Sequence, residues 1–250
     1  MKMGFVAQRL GAVSTARSQS PCSCQRSHTL SQQRVVCFLD FDNTLFDNDG
    51  LKADINQQLS AVLSAAQVQR FWMLYEQTRH AEGTVDFPAT MDLFRPEIPS
   101  ALAERVWSII WDYPFATKLF PSSLSVLVHL TALGMHPSIV SDGDPLYQPH
   151  KIALSGVTVA VHERVKVFIH KQQHLAEVLA WQPADHYIMV DDKAQILADF
   201  QRMQPGKFTT VHVKQGHYAD STADPAPDIQ IAHISDLLEY DLDRLTQPVK

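Results

Sequence analysis

The sequence predicts an α/β fold, a Rossmann-like parallel sheet with an inserted α-helical cap domain. Three observations predict it. Five short apolar runs alternate with helical patterns, the order of a parallel sheet covered on both faces. Between the first two runs lies a block, residues 46–118, with helix-like spacing and no convincing strand. Finally, four of the runs end on residues that can manage charge.

Taken in order, residues 1–34 are rich in Ser, Gln and Arg and read as a disordered N-terminal extension, with an acid-free targeting peptide as the other reading. VVCFL (35–39) is the first strand, followed by PSIV (137–140), VKVFI (165–169), HYIMV (186–190) and FTTVHV (208–213). SLSVLVHLTALG (123–134) reads as a helix stopped by Gly134, and KAQILADFQRM (193–203) as the helix after the fourth strand. PDIQIAHISDLLEYDL suggests a short edge strand and a terminal helix. Within the helical block, KADINQQLSAVLSAAQVQRFWMLYEQTRH and IPSALAERVWSIIWDY keep a mostly helical period. Such a block is too long for an ordinary crossover, so residues 35–45 and 119–250 form the expected core and 46–118 the cap.

Composition excludes several function classes. A chain of 250 residues, 45% hydrophobic and 19% charged, is that of a folded globular protein. No run approaches the roughly 18 apolar residues of a membrane span, so no membrane partner and a cytoplasmic location are expected. Cys22, Cys24 and Cys37 show neither disulfide nor zinc spacing, which suits a reducing compartment. Residues 1–39 hold Lys2, Arg9, Arg17, Arg26 and Arg34 and no acid; with the whole chain at −6, the remainder carries −11. An acidic body of that kind is a poor partner for nucleic acid. Oligomeric state leaves no sequence signal.

The chemistry lies at the strand ends. Asp40 and Asp42, two apart on extended chain, point to one side just beyond the first strand, where open parallel sheets bind ligands. Two close carboxylates call for a cation, and Mg²⁺ is the usual one for oxygen donors. Asp191 and Asp192 end the fourth strand and supply further ligands. Ser141, Asp142 and Gly143 follow the second strand, offering a hydroxyl and exposed backbone amides. Lys171 lies past the third strand, with Lys151 and Lys166 as rivals. Together these describe a site for a doubly charged oxyanion and a metal.

On those residues the chain resembles the haloacid dehalogenase-like hydrolases. Asp40-Phe41-Asp42-Asn43-Thr44 matches the family's DxDxT motif, Ser141 its second motif, Lys171 its third and Asp191-Asp192 its acidic fourth, in the right order across residues 35 to about 215. A helical cap after the first strand matches as well. Three positions depart from the pattern: Ile196 and Leu197 stand where many relatives have a second acid, Gln172 replaces a frequent Pro, and Asp142 a frequent Asn.

The resemblance implies a Mg²⁺-dependent phosphatase of small phosphorylated metabolites. Asp40 would form an aspartyl-phosphate, Asp42 would act as acid and then base, and Ser141 and Lys171 would hold phosphoryl oxygens. The metal would be held by Asp40, by Asp42 through its backbone carbonyl, and by Asp191 or Asp192; Thr44 would brace the loop. A phosphomutase shares every motif. A dehalogenase shares the nucleophile but needs no acid at position 42. A receiver-like signalling phospho-acceptor would lack the cap, and a non-catalytic phosphate-binding protein would have no use for an intact acid pair.

Several of these features have duller readings. A calcium loop counted from Asp40 fails at Leu45 and Leu51, where Gly and Glu belong. His170 and His174, spaced i, i+4, lack the Glu of a zinc helix. Phe71, Trp72 and Tyr75, like Trp107 and Trp111, read as cap core before they read as a substrate platform. Selectivity is expected from cap residues such as Arg70, Glu76 and Arg79.

Overall fold

Residues 34–247 are described by the structure, a computed structural model. The expected N-terminal extension therefore lies, but for Arg34, outside the described residues. Six strands form one parallel sheet: β1 (Val35–Leu39), β2 (His136–Asp142), β3 (Val165–Phe168), β4 (His186–Asp191), β5 (Phe208–Val213) and β6 (Ile229–Ile231), in the order β3-β2-β1-β4-β5-β6.

Both faces of the sheet are covered, which is why β1 can be apolar at every position. Val35, Cys37 and Leu39 join the larger core, whereas Val36 and Phe38 face the opposite side with Val140, Tyr187 and Met189. That second side is closed by α8 (Leu175–Trp181) and α9 (Ala194–Met203), through Val178, Leu197 and Phe200. Against the first side lie α5 (Ser123–Ala132), α6 (Tyr147–Leu154) and the single turn α7 (Val157–Ala160), through Val126, Leu130, Ile152 and Val157. The terminal helix expected from the sequence is broken in two: a 3₁₀ segment, Ile234–Glu239, and then α10 (Leu242–Thr246), restarted when Asp241 accepts from the Arg244 amide at 2.8 Å.

The block between β1 and β2 is helical throughout. The long helical pattern of residues 52–80 divides into α1 (Asn48–Val62) and α2 (Ala65–Glu82), because Ser64 and Gln67 form a capping box that starts a new helix. Gly83, at φ 72°, ends α2 in the left-handed conformation glycine tolerates best. Asp86 caps α3 (Phe87–Phe94), and α4 (Ser100–Trp111) follows. Phe71, Tyr75, Phe87 and Phe94 interlock as ring pairs, with Phe71 and Phe94 edge to face at 5.5 Å, so these aromatics are core. The chain enters and leaves the block side by side: Asp47 N donates to Lys118 O at 2.8 Å, and Phe120 N donates to Leu45 O at 2.9 Å.

Candidate active site

Sheet topology brings the carboxylates together. Strand order reverses direction at β1, and ligands of open parallel sheets bind at such a switch point. Leu39 pairs in register with Val190, and the Asp40 amide donates to Val190 O at 2.9 Å, so the residues that follow the two strands emerge as neighbours. Asp40, Asp191 and Asp192 are all buried, with ligand oxygens within 4.8 Å of one another. Among the described residues this is the one group of three or more such side chains arranged to hold a metal.

Of the three candidate lysines, Lys171 reaches this group. Its fully buried ammonium lies 2.5 Å from Asp40 Oδ1 and 2.7 Å from Asp191 Oδ2, and also donates to Val140 O at 3.2 Å. Burial opposes its charge, but Asp191 and Asp40, with Asp142, outweigh that and hold its pKa above the ordinary lysine value. Lys166 pairs with Glu177 instead, at 2.5 Å. Lys151 belongs to Asp42, at 2.6 Å from Oδ1 and 2.9 Å from Oδ2.

The trio carries more negative charge than its surroundings balance. Burial pushes the Asp40 carboxyl up to about 7, against the pull of Lys171 and with Asp191 adding to the rise. Asp192 is pushed up to about 9, first by burial and then by Asp191 and Asp40. Both Asp192 carboxylate oxygens are buried without a hydrogen-bond partner among the described residues. Three carboxylates, with both oxygens of Asp192 orphaned, form the set that a hard divalent cation takes.

Asp42 is placed differently from the other acids. Its side chain stands outside the trio, on the wall of a cavity of about 410 Å³, held by Lys151 and by Gln148 Nε2 at 3.2 Å. Gln148 also donates to Ser141 Oγ at 2.9 Å, linking the second motif to the first. Both Gln148 and Lys151 were missed in these roles. Their i, i+3 spacing on a helix, which sets them on one face, was the available signal. Asp144 aims that helix by accepting from the Leu146 and Tyr147 amides at 2.9 Å and 2.6 Å.

Two expectations are corrected and a third is qualified. Gly143 offers no free amide, since it is buried and its N–H donates to Phe168 O at 2.9 Å across the β2–β3 edge. Asp142 lines the cavity, but one of its oxygens is committed to a neighbour, accepting from the Lys171 amide at 2.7 Å and so fixing the lysine's backbone. Thr44 is buried, and its hydroxyl has no hydrogen-bond partner among the described residues; the bracing falls to Asn43, whose Oδ1 accepts from the Asn48 and Asp49 amides at 3.2 Å and 3.3 Å.

The cap residues expected to select substrate divide. Arg79 lines the cavity and pairs with Glu76, whereas Arg70 pairs with Glu97 on the exposed surface. Cover over the cavity comes from Gly83, Thr84, Val85 and Phe87, opposite His170. His170 and His174 do not share a helix: His170 is left-handed at φ 60°, and His174 stacks on Phe168. No helix among the described residues is long and apolar enough to cross a membrane.

Comparison with known proteins places this arrangement. A haloacid dehalogenase-like hydrolase from Burkholderia xenovorans is 36% identical, with a TM-score of 0.77 over 84% of this chain and 98% of that one. A HAD phosphatase from Thermococcus onnurineus is 18% identical, at a TM-score of 0.56 over 82% of this chain and 96% of its own. A 2-haloacid dehalogenase from Pseudomonas syringae pv. tomato is 17% identical, at a TM-score of 0.52 over 83% and 97%. The last two share the fold and differ in named chemistry, so fold alone does not choose between phosphate and halide. No protein-family model matches the chain, and no curated protein does. On its likeness to the Burkholderia protein across nearly all of that protein's length, the chain belongs to the haloacid dehalogenase-like hydrolases.

Proposed function

We propose that this hydrolase is a Mg²⁺-dependent phosphatase of small phosphomonoesters, working through an aspartyl-phosphate on Asp40. Asp42 carries the reading. A halide departs as a stable anion and needs no proton, whereas an alkoxide does, and Asp42 supplies a second carboxylate at the cavity wall, apart from the cation-binding trio.

In this scheme the Asp40 carboxylate attacks phosphorus as the ester P–O bond breaks, and Asp42 gives its proton to the departing oxygen. Asp42 then takes a proton from the water that attacks the acyl phosphate, releasing phosphate and restoring Asp40. Lys171 and Ser141 hold and orient the phosphoryl oxygens, and Gln148 keeps Ser141 and Asp42 in one relation. Asp40, Asp191 and Asp192 would hold Mg²⁺, which when bound neutralises phosphoryl charge and fixes the phosphate's position. The helical block acts as the cap, keeping bulk water and bulky esters out of the cavity.

The test is release of inorganic phosphate from an aryl phosphate with and without Mg²⁺. Activity is expected to require the metal and to fall by at least about 10³-fold in Asp40→Asn, the scale on which loss of a nucleophile acts. Halide release from 2-haloacids with no phosphate release from any ester would reject the proposal in favour of dehalogenation.

A further inference from the structure

To the cavity that Asp42 lines, the helical block contributes two cations, Lys52 in the second turn of α1 and Arg79 in the last turn of α2. Two more, Lys151 and Lys193, come from the core side. Two of the four are held in ion pairs, and a third adjoins the acid trio. Arg79 is paired with Glu76, its Nε 2.8 Å from Oε2. Lys151 is paired with both oxygens of Asp42. Lys193 makes no ion pair among the described residues, but it directly follows Asp192 and so stands on the acid trio's side of the cavity.

Lys52 is the exception. Among the described residues its ammonium donates no hydrogen bond and joins no ion pair, and its nearest aromatic contact is the Tyr75 ring, with a centroid 5.8 Å away. Burial pushes its pKa down, Lys151 and Arg79 push the same way, and Asp42 and Asp49 only partly offset them. A half-buried ammonium lacking an acceptor, at the wall of a ligand-sized cavity, is a place where an anion is stabilised. One uncompensated positive charge matches one negative charge, which is a carboxylate and not a second phosphate dianion.

We infer that the substrate is a small phosphomonoester that also bears a carboxylate, with the phosphoryl group at Asp40, Ser141 and Lys171 and the carboxylate at Lys52, beside Arg79. The inference rests on the phosphatase reading above. It assigns Lys52 as the residue that selects by charge, and α1 and α2 as the elements that set the distance between the two anionic ends.

The experiment compares kcat/KM, in the full chain with Mg²⁺, for carboxyalkyl phosphates and for alkyl phosphates of matching length, with an aryl phosphate as reference. The carboxyalkyl esters are expected to be preferred by about 10-fold to 100-fold, the range of one or two charge-assisted hydrogen bonds. Lys52→Met and Lys52→Gln should collapse that ratio to about one, while Lys52→Arg retains part of it. Calorimetric binding of carboxyalkyl phosphonates, compared with alkyl phosphonates, should show the same preference without turnover. Equal kcat/KM for the two series in a wild type that turns over the aryl phosphate overturns the inference and leaves the phosphatase reading standing. A stronger preference for bisphosphates overturns the carboxylate assignment. A folded, Mg²⁺-supplied protein that hydrolyses no phosphate ester overturns both.

Discussion

Lys151 Nζ lies 2.6 Å from one oxygen of Asp42 and 2.9 Å from the other, and it reaches them from a side chain only 3% exposed. The ammonium is walled in by the rings of Phe41, Phe46 and Tyr147, each with its centroid within 6 Å. Asp42 is thereby fixed from the α6 side, independently of the carboxylate trio. In the proposed mechanism, proton transfer by Asp42 therefore depends on this lysine as well as on the acid itself.

Lys151→Met keeps the bulk between those rings and removes the charge. It is expected to lower kcat by about 100-fold, the scale on which a misplaced general acid–base group acts, and to change KM far less. Steady-state kinetics on an aryl phosphate decide this. A variant with wild-type kcat would show that the ion pair does not position Asp42 for chemistry.

Acidity at the trio makes stability depend on pH in the metal-free protein. Asp40 and Asp192 are pushed up to about 7 and about 9, chiefly by burial, while aspartates in an unfolded chain titrate near 4. From about pH 4 to about pH 9 the folded state therefore keeps protons that the unfolded state has released, so stability falls as pH rises across that window. Thermal melts in the presence of chelator should show Tm declining from acid to alkaline buffer. A level or climbing Tm would contradict the charge crowding described for these residues.

Mg²⁺ should reverse that decline. A cation binding only the folded chain adds about 2.7 kcal/mol at 100 times its Kd, which for a domain of this size raises Tm by about 5 to 10 °C. EDTA should abolish the rise, and Asp192→Asn should shrink it. Titration calorimetry with Mg²⁺ alone gives the second readout, and a shift of equal size in Asp192→Asn would remove that residue from the ligand set.

Crowding at Gly143 gives a test of the Gln148 link. A Cβ built there would sit 2.6 Å from both Cβ and Cγ of Gln148, too close for the side chain to stay where it bridges Ser141 and Asp42. Gly143→Ala is expected to destabilise the fold by about 1 to 3 kcal/mol, the usual scale of overpacking, and to lower kcat by about 10-fold. Adding Gln148→Gly removes both clashing atoms, so stability should recover, less the cost of a glycine within α6, while activity does not. Recovery of both in the double variant would show that Gln148 has no part in placing Ser141 or Asp42.

Much of this site is legible in the chain because strands announce themselves and their ends are where ligands bind. VVCFL, HYIMV and the acids after them are local patterns, and parallel pairing turns that local information into convergence of Asp40 with Asp191 and Asp192. The break at Ser64 was missed, because apolar periodicity runs through it, although Ser-x-x-Gln is its local signal. What the sequence hides is long-range partnership. Lys151 meets Asp42 over 109 residues, and nothing local separates it from Lys166 or Lys171 as the lysine that finds Asp40. Gly143 looked like a free amide because its acceptor, Phe168, is set by the register of β2 on β3. Lys52 is conspicuous only once the acids that do not reach it are known.

The helical block leaves the sheet after Leu45 and returns before Phe120, and these points are joined by backbone hydrogen bonds of 2.8 Å and 2.9 Å flanking Phe46 and Leu119. To the sheet, everything between them is a closed loop, and the entropy of closing a loop grows only with the logarithm of its length. A longer, shorter or unrelated module could be exchanged at that gate during descent with little penalty to the strands beneath. The acids at the strand ends and the residues above the cavity are thus free to drift apart in evolution, one set held in place by the sheet and the other rewritten by whatever is spliced in above it.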